Sequence, residues 1–74
     1  MRSVVIEYFV TENVNRNAGG YLPRIAIDGR ETGDTFAVRG IGCRVTALAW
    51  AKHEAEAEAS KYRGDYAVTV RERS

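Results

Sequence analysis

The stretches of the chain richest in β-branched and aromatic residues are short, and the polar runs between them are well marked. Residues 4–10, VVIEYFV, suit a pleated surface. Alternation puts Val4, Ile6, Tyr8 and Val10 on one wholly apolar face, and Val5, Glu7 and Phe9 on the other. This predicts a central strand, partly covered on both sides. Residues 21–27, YLPRIAI, predict a second strand with Tyr21, Pro23, Ile25 and Ile27 on one face and Leu22, Arg24 and Ala26 on the other. Pro23 has no N–H to give a neighbour, so this strand starts at a sheet edge. Asp28-Gly29 is a two-residue hairpin signal. A third strand follows it, broken at Gly33-Asp34 and resuming at Thr35–Val38. Residues 66–71, YAVTVR, predict the last strand, with Tyr66, Val68 and Val70 pointing one way.

Period changes in the Ala/Glu/Lys-rich run between 46 and 63, which predicts a helix. Thr46 is the expected N-cap, with Val45 and Trp50 forming a hydrophobic staple. Gly64 is the expected residue just past the C-terminus, behind Lys61 and Arg63 in the last turn. At about 100° per residue, Leu48, Ala51, Ala55, Ala59 and Tyr62 form one stripe. Three of those five are Ala, so the helix should lie close to its sheet. Trp50, His53, Ala57 and Lys61 fall on the opposite side. The order is therefore β-β-β-α-β: an α+β fold, a small antiparallel-rich sheet of three or four strands with one helix on one face. The whole of residues 1–74 reads as a single α+β domain. Residues 11–20, TENVNRNAGG, are a loop, and the Glu72-Arg73-Ser74 tail is expected to fray.

Composition narrows the chemistry. With 74 residues, 45% hydrophobic and 28% charged, the chain resembles an ordinary small globular domain. Its core must be thin, so any site is a surface groove, a loop or a cleft shared with another chain. A two-domain enzyme, a membrane-spanning chain and a disulfide scaffold are excluded. The start of the chain has no signal-peptide pattern, and the single Cys43 fits a reducing compartment, which makes the cytoplasm the expected location. A net charge of +1 argues against strong non-specific nucleic-acid binding, although nine of the eleven basic residues are Arg.

Candidate chemistry is sparse. One His and one Cys cannot complete a structural zinc set, and no metal or other cofactor is expected. Cys43 and His53 are the only thiol–imidazole pair, yet the predicted helix places them two turns apart. Cys43 itself is expected to be a small buried hydrophobe. Glu54 and Glu58 are i,i+4 neighbours on a solvated face, with no pocket to split their pKa values. Gly40-Ile41-Gly42 begins a GxGxxG pattern that fails at its third glycine. The helix start beside Arg44 leaves anion binding open there.

Two family resemblances enter on particular residues. Pro23–Ala59, with its strands, Gly-x-Gly turn and Ala-rich helix, resembles the second half of a double-stranded-RNA-binding domain. In place of that family's lysine cluster this chain has Arg44-Val45-Thr46, and in place of its first helix a strand. The order of strand, Gly19-Gly20-Tyr21 strand, third strand, helix and strand is similar to the antitoxin module of the HicB type, as is Gly42-Cys43 before the helix. That family's Pro-Asp-Leu-Pro-like run is missing. The second resemblance implies a toxin-neutralising role.

The function expected from the residues is a small non-enzymatic binding module that occupies a protein partner, as an inhibitor, an antitoxin or a phage-type antagonist of host defence. Trp50, His53, Lys61, Asn15, Asn17 and Arg44 are the expected partner contacts, because Trp on a polar helix side is a hot-spot signal. The alternative is a nucleic-acid-binding module using Arg24, Arg39, Arg44 and Arg71. A small enzyme using Cys43 is a third class. A homodimer through an edge strand or the helix face is a further expectation, and no membrane contact is.

Overall fold

A computed structural model describes residues 2–12, 19–32 and 41–73. It contains β1 (Arg2–Glu12), β2 (Tyr21–Ile27), β3 (Arg30–Glu31), α1 (Arg44–Tyr62) and β4 (Tyr66–Glu72). The fold is α+β: four strands in the order β3-β2-β1-β4, with α1 packed against β1, β2 and β4. β1 is central, as its composition predicts, and runs antiparallel to β2, which runs antiparallel to β3. β4 is parallel to β1, with Ile6 beside Val70 and Val4 beside Val68, so the sheet is mixed. A parallel neighbour needs a crossover, and α1 supplies it.

The Asp28-Gly29 hairpin forms as expected. Asp28 (φ 50°) and Gly29 (φ 85°) both take positive φ, as a type I′ turn requires. Ile27 pairs with Arg30 across the turn. The Asp28 N–H donates to the Val5 carbonyl, and the Asp28 carboxylate accepts the Val5 N–H at 2.9 Å. The turn is thereby tied to the central strand. Of the broken third strand, only Arg30–Glu31 lies among the described residues; its expected continuation at Thr35–Val38 lies outside them. Ile41 pairs with Tyr21, the two exchanging both backbone bonds at 2.8 Å.

The core is one residue deep. Val4, Ile6 and Ile25 meet Ala55 and Ala59, with Ala47 and Ala51 buried further along the helix. Among the described residues Ile6 is the largest side chain removed entirely from solvent. The Ala stripe brings α1 close to the sheet, as the sequence implies. Tyr62 and Tyr66 meet edge to face, their centroids 5.5 Å apart, and close the turn from α1 into β4.

Four expectations change. The helix starts at Arg44, not after Thr46, with Cys43 at the N-cap and no side-chain capping bond. Starting earlier buries Ala47 completely, and packing of that kind outweighs a capping preference of about 1 kcal/mol. The staple is lost with it, because Val45 is now inside the first turn. Gly64 follows the C-cap Arg63, as expected, without taking positive φ. The helix ends instead in a turn closed by the Asp65 N–H on the Tyr62 carbonyl. The tail is held rather than frayed as far as Arg73, whose N–H donates to Tyr8. Finally, Thr11 and Glu12 extend β1, so the loop is shorter than residues 11–20.

Candidate functional site

Helical periodicity sorts the α1 side chains that do not meet the sheet. Trp50 is 55% exposed and Val45 75% exposed, the two exposed large hydrophobics among the described residues. They share a shallow apolar hollow with Thr46, Ala49 and His53. Trp50 and Val45 are five positions apart, about 140° around the helix axis, so they flank the hollow, with Ala49, His53 and Thr46 between them. The sequence singled out Trp50 and His53. It paired Val45 with Trp50 too, but as a staple closing the helix start rather than as part of an exposed face; Thr46 was assigned to the cap, and Ala49 carried no signal of its own.

The other expected contacts do not gather there. Lys61 lies further along the helix beside a second hollow, lined by Ile25, Thr32, Glu54, Ala57 and Glu58. Its ammonium is 2.8 Å from the Glu58 carboxylate, which raises its pKa. Arg44 is exposed in the first helical turn. Asn15, Asn17 and Arg39 lie outside the described residues.

Cys43 is exposed, not a buried hydrophobe. The N-cap position leaves its side chain in solvent, near the first turn but without a capping hydrogen bond. The Thr46 backbone N–H, the Thr46 hydroxyl and the Val45 N–H hold its pKa below the ordinary thiol value. Because folding lowers this pKa, the ionised thiol favours the fold. That contribution is present above the unfolded thiol's pKa and is lost as pH falls through the folded value. Iodoacetamide labelling followed across pH is therefore expected to show a lower midpoint for the native chain than for the chain in guanidinium chloride. Identical midpoints would remove the helix start from this explanation.

The sheet face away from α1 is charged but largely self-neutralised. Glu7 accepts from Arg71 Nε at 3.3 Å and from Arg73 Nη2 at 3.5 Å. Arg73 also lies over the Phe9 ring, 4.2 Å from its centroid. Arg24 is mostly buried, with Nη2 4.0 Å from Glu31. Of the arginines expected to meet phosphate, Arg24 and Arg71 are thus engaged with carboxylates on their own sheet.

Among the described residues there is no group of three or more His, Cys, Asp and Glu side chains that could hold a metal ion. Nor is any described helix long and apolar enough to cross a membrane. Compared with protein-family models, with curated proteins and with solved structures, the chain finds no match in any of the three.

Proposed function

We propose that the chain is a non-enzymatic binding module that acts by occupying a protein partner, with the first turns of α1 as its contact surface. The observation that carries this reading is the pairing of Trp50 and Val45, both more than half exposed, in one apolar hollow. Scattered apolar side chains on a surface need no explanation, but adjacent large ones beside a Trp fit a protein contact. A half-exposed indole supplies a rigid anchor, and the polar neighbours Thr46 and His53 fit the rim of such a contact. The mechanism is steric: the module blocks whatever surface it covers. An inhibitor, an antitoxin or a phage-type antagonist of host defence works in this way.

Phosphate recognition is the weaker reading. Arg71 and Arg73 converge on Glu7, and a phosphate would have to displace that carboxylate. The test takes the partner recovered from the native cell and titrates it with the chain. Trp50→Ala is expected to weaken binding by about thirtyfold or more, the size of a hot-spot loss of about 2 kcal/mol. Wild-type affinity is expected to change only a few-fold between about 50 and about 200 mM salt. A loss of about a thousandfold over that range, with Trp50→Ala neutral, would overturn the proposal in favour of nucleic acid.

A further inference from the structure

The two edges of the sheet are built differently. The β3 edge is blunted. β3 is two residues long and both are charged. Tyr21 turns its backbone groups outward to Ile41, and alternate residues of a strand aim to the same side. Pro23 therefore presents its missing N–H on that same edge. The β4 edge has no such protection. β4 pairs with β1 without a bulge over Tyr66–Glu72, contains no Pro, Gly or Lys, and is uncharged from Tyr66 to Val70. The Arg73 N–H donates inward to Tyr8, so the backbone groups of Ala67, Thr69 and Arg71 also face β1. Those of Tyr66, Val68, Val70 and Glu72 face outward, and among the described residues no strand lies beyond them.

We propose that this edge is an interface with a second copy of the chain, in which the two β4 strands pair antiparallel about a two-fold axis through Thr69. That register satisfies every outward N–H and C=O of β4. Val68 pairs with the partner's Val70, and Tyr66 with the partner's Glu72. Charge selects the second copy as the occupant. Asp65 comes opposite the partner's Arg73 and diagonal to the partner's Arg71, twice by symmetry, and no like charges face each other. The register also explains a hollow beside Glu72, between Tyr8, Val45, Leu48 and Lys52. The partner's Tyr66 arrives at its mouth and covers apolar surface that the single chain leaves open. The two sheets then continue as one, each with its helix on the same side.

Thr69 is exposed and has its side chain on the sheet face away from α1, so changing it spares the core. Sedimentation velocity of the 74-residue chain is expected to show a concentration-dependent species of twice 8.2 kDa. Thr69→Lys and Thr69→Glu each place like charges directly across the axis. Each variant alone is expected to raise the dissociation constant about tenfold or more, with its circular dichroism unchanged. An equal mixture of the two is expected to recover the dimer, because opposite charges then meet. Trp50→Ala is expected to leave the dimer intact, which separates this interface from the helix surface. A wild-type chain that stays monomeric at about millimolar concentration, a dimer indifferent to both Thr69 variants, or a mixture no tighter than either variant alone would overturn the proposal.

Discussion

Ile6→Ala is expected to leave the chain largely unfolded at 25 °C. Ile6 sits in the central strand, paired on one side with Ile27 and on the other with Val70. It is completely buried and, among the described residues, is the largest side chain that is. Truncating a buried Ile costs about 2–5 kcal/mol, from lost transfer energy and from the cavity left behind. A single core in a chain of this size supplies only about 3–5 kcal/mol in total. Collapse of the helix onto the gap would relieve part of the loss, but the facing residues are Ala, whose single methyl groups cannot extend into it. Urea unfolding followed by far-ultraviolet circular dichroism is the check. A midpoint within about a tenth of the wild-type value, well inside the effect expected from that loss, would show that Ile6 is not the keystone of this core.

Ala55→Leu is the complementary experiment, and it too is expected to destabilise strongly, by about 1–3 kcal/mol or more. By helix propensity alone the change is nearly neutral. The expected loss comes entirely from packing: Ala55 is fully buried against Val4, Ile6 and Ile25, and a larger side chain must push α1 off the sheet. Glu54→Leu, one position away on the exposed side, serves as the control. A stable Ala55→Leu chain would mean that the helix stands further from the sheet than the Ala stripe indicates.

Most of this framework was legible in the residues, because the thin core writes itself in local periodicity. The faces of β1 and β4, the Asp28-Gly29 turn and the Ala51–Ala55–Ala59 stripe each follow from period two, period 3.6 or a turn residue. Features set by distant partners were not legible. Nothing local in YAVTVR says that β4 lies parallel beside β1. Arg73 looks like a tail residue until Glu7, Tyr8 and Phe9, far away in sequence, come under it. The helix start failed for a related reason. Thr46 is a good cap by local chemistry, but the burial of Ala47 and the docking of Ile41 on Tyr21 bring the first turn forward. That shift exposes Cys43 and places Val45 beside Trp50. The apolar hollow was therefore only half visible, as a Val45–Trp50 staple at the helix start rather than as an exposed surface.

The sheet face away from α1 is partly covered: Ala26 is fully buried there, and Phe9, Leu22 and Arg24 are half-buried. Its arginines are spread over β2, β4 and the residue after β4, and its acids, Glu7 and Glu31, stand between them. Alternating charges of this kind leave the face without a strong field of either sign. Among the described residues the exposed large apolar side chains, Val45 and Trp50, lie instead on the first turns of α1.

Trp50 is the one tryptophan in the chain, so its fluorescence reports on this surface alone. The decisive measurement is acrylamide quenching of that emission in the free chain and in the complex with its captured partner. The expected result is strong quenching in the free chain and clear protection in the complex. An indole already shielded in the free chain, or one quenched equally in both states, would contradict a role for this hollow in partner binding.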